Sequence, residues 1–148
     1  MKMIGLSVML MLLAGCGQQR TGTTIDPQDA AKVARGQAVY AASCAACHGA
    51  RLEGQPDWRR RKPDGRMPAP PHDDSGHTWH HPDEILFGIT REGLVPGKYG
   101  PPGYVSDMPA FGGVLGDADI AAVLSYIQSR WSPEVRRARE EMLRNRGR

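Results

Sequence analysis

The chain has 148 residues and a formal net charge of +3, and it combines 18 Gly and 12 Pro with only 6% aromatic residues. Without the N-terminal leader described next, residues 16–148 form a chain of 133, which is enough for one compact core and too short for two. Such a composition supplies few large apolar side chains for a hydrophobic core, so we expect much of the chain to be loop.

The N-terminal segment MKMIGLSVMLMLLAGC has the pattern of a secretory signal peptide. Its weakly polar to apolar run, Ile4 to Ala14, is too short for a membrane-spanning helix, which needs about 20 residues. Residues 13–16, Leu-Ala-Gly-Cys, resemble a bacterial lipobox, which implies cleavage before Cys16 and lipidation of that residue. The alternative is an ordinary signal peptide with an accidental cysteine. We therefore expect a signal peptide over residues 1–15 and an exported lipoprotein held at a membrane by its N-terminal lipid. Its domain would lie in the periplasm or on the outer face of the cytoplasmic membrane.

A polar tether, residues 16–27, leads into the first predicted helix. Asp26 and Pro27 indicate the start of this helix, with Asp26 as its N-cap and Pro27 at its first position. Small apolar residues then recur at helical spacing: Ala30, Val33, Ala34 and Ala41.

Cys44, Cys47 and His48 form a C-x-x-C-H motif directly after this helix. In an exported protein a free thiol pair would tend to form a disulfide. Zinc would normally require two further Cys or His ligands with suitable spacing, and the chain has no second cysteine pair. A thioredoxin-like pair would require strands around the motif, which the flanking residues do not indicate. The remaining interpretation is covalent attachment of a c-type haem, in which the two thiols add to the vinyl groups and His48 is the proximal iron ligand. A buried porphyrin would also supply the apolar centre that the composition lacks.

The segment GHTWHHPDEILFGITREG predicts a second helix. Pro82 is expected at its first position, Asp83 and Glu84 lie in the first turn where the helix dipole favours acidic residues, and Gly93 ends it. Clustered histidines before this helix would suit copper or zinc, although such clusters more often contact a haem propionate, cap a helix or face solvent. They are His72, His77, His80 and His81.

Two further helices are predicted towards the C-terminus. The first, in GDADIAAVLSYIQSRW, has Asp117 as N-cap and an apolar stripe: Ile120, Val123, Leu124 and Ile127. Residues 132–148 form a basic helical tail that starts with Ser132 as N-cap and Pro133 at the first position. We expect this tail to be mostly solvated, although its six Arg against three Glu would also suit an acidic partner or anionic lipid. Nucleic acid is not expected as a partner of an exported chain.

Residues 28–131 resemble the class I, monohaem cytochromes c. Gly36 and Tyr40 match the glycine–aromatic pattern that precedes the haem motif in that family, and Tyr126 matches a facing residue of its last helix. The resemblance implies an all-α cytochrome c fold in which three to five helices surround one covalently attached haem. It also implies that the first and last helices of the domain cross beside the haem.

The same resemblance implies the remaining residues of the site. Met108, in MPAF, lies where the family places its distal methionine, and a thioether ligand favours ferrous iron. Met67, in GRMPAPPH, and a histidine are the alternatives. Trp79 resembles the family tryptophan that donates a hydrogen bond to a haem propionate, and His77 and His80 are further candidates for the propionates or the haem edge.

These features predict an electron carrier with one haem c, ligated by histidine and methionine, and no catalytic residues. Its partners would be a redox protein donor and acceptor, such as a membrane oxidase or dehydrogenase. The alternative is a haem enzyme or ligand sensor, peroxidase-like or gas-binding, with a displaceable sixth ligand. Apart from the histidine cluster, the sequence offers no acid–base group for that chemistry.

Overall fold

The computed structural model describes residues 23–146, so the predicted signal peptide, the lipobox and Cys16 lie outside the described residues. The helices, in chain order, are α1 (Ala30–Ser43), α2 (Ala45–His48), a short 3-10 helix (Thr78–His80), α3 (Asp83–Glu92), α4 (Asp117–Ser129) and α5 (Pro133–Arg146). Strands do not occur within residues 23–146, where the only β pairing is an isolated bridge between Pro96 and Gly100. The predicted all-α architecture is confirmed. A helix long and apolar enough to cross a bilayer is not found in the described part of the chain.

The first helix starts later than the sequence predicts. Its N-cap is Asp29, whose side chain accepts a hydrogen bond from the N–H of Lys32 at 3.0 Å. Asp26 instead forms a turn in which its carboxylate accepts from the N–H of Gln28. The N–H of Asp26 donates to Ser125 Oγ at 2.9 Å. The prediction of Asp26 as N-cap is wrong because this contact with α4 holds the preceding chain in a turn.

Helices α1 and α4 cross in close contact at Gly36. A Cβ atom on Gly36 would lie 1.9 Å from the carbonyl oxygen of Ala122, so a side chain there would collide with the α4 backbone. Tyr40 and Tyr126 fill the space beside the crossing, with their ring centroids 5.5 Å apart. This arrangement is the one expected for the first and last helices of the domain.

The packed face of α1 is narrower than predicted. Gly36 and Tyr40 are buried, and Val33 is partly buried against the core. The other members of the predicted stripe are exposed, which corrects that expectation: Ala30, Ala34 and Ala41. A methyl group contributes little to the apolar face of a helix, so alanine spacing is a weak guide to which side packs.

Helix α4 is buried on almost all sides. Every residue from Ile120 to Gln128 is buried, including the whole predicted apolar stripe. Helices α1 and α3 pack against it, which places it at the centre of the domain. The N-cap of α4 is Gly116, one residue before the predicted cap, Asp117. Asp117 instead lies in the first turn of the helix, where its carboxylate pairs with Arg91 at 3.3 Å.

The ends of α3 and α5 lie close to their predicted positions. Helix α3 ends at Gly93, which has a φ of 79°, and it begins immediately after Pro82, which is the N-cap and not the first helical residue. Helix α5 begins with Ser132 Oγ accepting from the N–H of Val135 at 3.3 Å, as the predicted cap requires. Within residues 132–146 the tail is mostly exposed or partly exposed, as expected, with one exception: Arg139 is only 6% exposed and contacts the rest of the domain.

Candidate functional site

A cavity of about 370 Å³ lies between α2, α3, α4 and the loops around residues 67–72 and 104–111. Its size is within the range of roughly 300–1,000 Å³ that is usual for small-molecule and cofactor sites. Helices α3 and α4 supply apolar walls, which would exclude water from a bound group: Leu86, Ile89, Val123, Leu124 and Ile127.

The C-x-x-C-H motif lines this cavity because it forms α2, which follows α1 after a one-residue break at Cys44. The N–H of Cys44 donates to the carbonyl of Tyr40 at the end of α1, and the N–H of His48 donates to the carbonyl of Cys44 at 2.9 Å. Cys44 is half-buried and Cys47 is exposed, and both are free thiols. Burial raises the pKa of the Cys44 thiol to about 11, so it is protonated at neutral pH. The motif thus presents two thiols and an imidazole to one cavity.

His48 has the geometry of a metal-binding imidazole. It is buried, and its Nδ1 lies 2.8 Å from the carbonyl oxygen of Pro70. Because a carbonyl only accepts, Nδ1 carries the hydrogen and the lone pair is on Nε2. Burial also lowers the pKa of His48, so the ring is neutral at pH 7. A hydrogen bond from Nδ1 to a carbonyl orients a metal-ligating histidine and increases the basicity of its other ring nitrogen.

His72 is a residue of the site that the sequence analysis placed only in a histidine cluster. Its ring stacks on that of His48, with centroids 4.0 Å apart and an angle of 23° between the planes. His72 Nδ1 also lies 2.8 Å from Thr78 Oγ1, and burial lowers the pKa of His72 well below its ordinary range. His72 is therefore a neutral ring that restricts the rotation of His48. No local pattern marks this contact, because it joins separate segments of the chain.

Both candidate methionines reach the cavity. Met67 and Met108 line it together, and each is partly buried. The N–H of Met108 donates to Ser106 Oγ at 3.0 Å. Ion pairs connect the two methionine-bearing loops, since Asp107 contacts both Lys62 and Arg66. The assignment of Met108 as the axial ligand stays a prediction, with Met67 as the alternative.

The propionate candidates divide into two groups. His77 lines the cavity, as does His81, another member of the histidine cluster. Thr78 also lines it, and the sequence did not indicate this residue as a haem contact. Trp79 and His80 are not among the residues that line it; their rings lie against each other, with centroids 3.7 Å apart. The indole N–H of Trp79 is buried, and among residues 23–146 it has no hydrogen-bond partner. A buried donor of this kind requires an acceptor, and a haem propionate would be a suitable one.

The arrangement fits covalent haem better than the alternatives weighed for the motif. The cavity has thiols, an imidazole with a free Nε2, thioethers and apolar walls, which together are the groups that a covalently attached haem requires. Between residues 23 and 146, no three His, Cys, Asp or Glu side chains are arranged to hold a metal ion. The described geometry therefore gives no support to a zinc site at the cysteines or to a second metal at the histidine cluster.

Comparison with known proteins gives a consistent result. A family model described as "Cytochrome c" matches residues 33–131. A gluconate 2-dehydrogenase cytochrome c subunit from Pantoea cypripedii is 31% identical over 99 residues, a match that covers 65% of this chain. The chain spans only 20% of the length of that relative. No solved structure matches the chain. The family match contains the C-x-x-C-H motif and Met108, and it ends before α5.

Proposed function

The chain belongs to the cytochrome c family, and from this premise we propose that it is an electron carrier with a single haem ligated by His48 and Met108. The family match confirms the predicted fold and covalently bound haem c as the cofactor, which supplies an iron centre that gains and loses one electron. The observation that carries the proposal is that the cysteines of the motif, His48 and Met108 all line one apolar cavity.

The residues of the motif would hold the cofactor in a fixed position. Each thiol, Cys44 and Cys47, would add its sulfur and hydrogen across one vinyl double bond, so no other reactant is consumed. His48 would bind iron through Nε2, since Nδ1 donates to Pro70. These fixed contacts would keep the site nearly unchanged between its two oxidation states.

The loop that contains Met108 is held by contacts of the two residues that precede the methionine. Ser106 Oγ accepts from the N–H of Met108, and the ion pairs of Asp107 with Lys62 and Arg66 join this loop to the one before the histidine cluster. A thioether ligand stabilises ferrous iron and raises the reduction potential. The contacts of the loop support Met108 as a permanent ligand, which an electron carrier needs.

Electron transfer without catalysis is supported by the state of the polar groups at the cavity. Asp107 is engaged by Lys62 and Arg66, and His72 is stacked on His48. His77 and His81, which also line the cavity, lie against each other, and His77 stacks on Trp58. With Met108 as a permanent ligand none of these groups would lie beside an open iron position, so we propose that the chain is not itself an enzyme.

The relative from Pantoea cypripedii is a cytochrome subunit of a dehydrogenase, which supports a redox protein as the partner here. We propose that the chain exchanges electrons with a dehydrogenase or oxidase at a membrane. A lipid on Cys16 would keep it close to such a partner. The domain would then work in the periplasm or on the outer face of the cytoplasmic membrane.

An absorption spectrum tests the proposal most directly. The protein would be produced in cells that have haem-maturation machinery, and spectra recorded before reduction, after reduction and after extraction with acidic solvent. Haem that resists extraction, with a low-spin six-coordinate spectrum and the ferric methionine band, is the expected result. A haem-free protein with a Cys44–Cys47 disulfide would refute it. Extraction-resistant, high-spin haem that binds carbon monoxide would instead favour the haem enzyme or sensor.

The axial ligand is tested by substitution. Met108→Ala should abolish the thioether-to-iron charge-transfer band and lower the reduction potential, because the ligand that stabilises ferrous iron is lost. Met67→Ala is the matched control, since Met67 lines the same cavity and also precedes a Pro-Ala pair. It should leave the band intact. Loss of the band in M67A and its retention in M108A would identify Met67 as the ligand.

A further inference from the structure

Helix α5 lies beyond the part of the chain that matches the cytochrome c family, yet it is attached to a wall of the haem cavity. That wall is the segment of residues 72–83, here named the wall loop. Four of its residues line the cavity: His72, His77, Thr78 and His81. The contacts between α5 and the wall loop therefore connect a helix outside the family match to the cofactor site.

The first contacts are made at the junction of α4 and α5. The indole N–H of Trp131 donates to the carbonyl of His72 at 2.9 Å. The N–H of Ser132 donates to Asp74 Oδ1 at 3.0 Å. Both bonds reach the beginning of the wall loop, and Trp131 itself is 2% exposed.

Arg139 holds the other end of the wall loop. Its Nη1 donates to the carbonyl of Trp79 at 2.9 Å and also to the carbonyl of His81. Its Nη2 pairs with Asp83, which in turn accepts from Gln128 Nε2 of α4 at 2.7 Å. The planar guanidinium can bind all three acceptors at once, which the single ammonium group of lysine cannot do with the same geometry. Arg139 is buried, and its loss would leave these acceptors without their donor.

The wall loop in turn touches the proposed proximal ligand. His72 stacks on His48 at 4.0 Å between centroids, and Thr78 of the 3-10 helix bonds to His72. A continuous series of contacts therefore runs from Arg139 through the wall loop to the imidazole of His48. We propose that Arg139 is a positioning residue of the haem site, which keeps the wall loop closed against the cavity and so limits the access of water to the haem. This inference rests on the proposed function.

The direction of the effect follows from the charge on iron. Ferric haem carries one more positive charge than ferrous haem, and a charged group is stabilised when water approaches it. A loosened wall loop should therefore favour the ferric state and lower the reduction potential. Arg139 itself points to backbone carbonyls and Asp83, so the effect is expected to arise through the position of the loop.

The test compares Arg139→Ala with Arg137→Ala in the holoprotein. Arg137 lies on the same helix, is exposed, and pairs at the surface with Glu134 at 2.9 Å. Its replacement removes the same charge without touching the wall loop. R139A should lower the midpoint potential while keeping covalent haem and the His/Met bands. Amide hydrogen exchange at residues 77–81 should become about tenfold or more faster, because charge-assisted hydrogen bonds are lost. R137A should match the wild type in both measurements.

Two results would overturn the inference. The first is a midpoint potential and a loop exchange rate in R139A equal to those of the wild type. The second is a change in R137A as large as the change in R139A, which would assign the effect to net charge. If R139A does not accumulate, Arg139→Lys replaces it, and wild-type potential and exchange in R139K would overturn the inference equally. Failure of the proposed function would already be visible in the spectrum of the wild-type protein, which would lack covalent haem or the methionine band.

Discussion

Replacement of Gly36 by alanine should destabilise the protein through the crossing of α1 and α4. The added Cβ would lie 1.9 Å from the carbonyl oxygen of Ala122, 2.5 Å from its carbonyl carbon and 2.9 Å from the Cβ of Tyr126. These atoms belong to the backbone of α4 or adjoin it, so no rotation of a side chain can relieve the collision. The two helices would have to move apart.

The distances set the size of the effect. An ordinary contact is about 3.5–4.0 Å, so the crossing would have to open by roughly 1.5 Å. Forcing extra volume into a packed core costs about 1–3 kcal/mol, whereas alanine gains up to about 1 kcal/mol over glycine inside a helix. Because the obstacle is backbone, the cost belongs at the upper end of its range. We expect a net loss of about 2 kcal/mol in the free energy of unfolding.

Guanidinium unfolding of the ferric holoprotein, followed by the haem absorption and by helical circular dichroism, measures this loss. Two glycines provide controls. At Gly88 the added Cβ would meet the hydroxyl of Tyr99, the movable end of a side chain, so G88A should cost less than G36A. At Gly113 nothing lies within 4 Å, so G113A should change stability by at most about 0.5 kcal/mol. If G36A proved as stable as G113A, the close crossing of α1 and α4 would be refuted.

Two further predictions concern contacts between distant segments. Trp131→Phe keeps an aromatic ring in the core but removes the donor to the carbonyl of His72, so unfolding should require about 1 kcal/mol less; unchanged stability would mean that this bond contributes nothing. Asp119 accepts a hydrogen bond from Arg35 at 2.6 Å, which lowers the pKa of its carboxyl. The contribution of this bond to stability is therefore complete above the ordinary pKa of 3.8 and is lost as the pH falls through the lowered value. Asp119→Asn should reduce thermal stability at pH 7, and the difference from the wild type should shrink as the pH is lowered below 3.8. A difference that stays constant as the pH is lowered would contradict this assignment.

The sequence determined the features that depend on neighbouring residues. The C-x-x-C-H motif indicated covalent haem, and the family match confirms that cofactor. The caps and breakers that define α3 and α5, Gly93 and Ser132, also lie where they were expected. Such signals are readable because the hydrogen bonds involved join residues within about one helical turn.

Only the tertiary structure decided which of several chemically similar residues caps a helix or makes a buried contact. Asp26 and Asp29 are equally good caps by residue type, and the bond from Asp26 to Ser125 excludes the first of them. Arg139 resembles the other arginines of the tail in the sequence, yet it alone among those described there is buried. Its partners come from the wall loop and α3, and no periodicity within α5 indicates them.

The same reason applies to the haem site. The position of His48 in the motif predicted its role, but its partner Pro70 and its neighbour His72 come from a different loop. Contacts of this kind form only when the packed helices have brought distant segments together, and their energy depends on burial, which a sequence pattern does not record. The sequence therefore predicts the chemistry of the cofactor, and the fold determines the surroundings that would tune it.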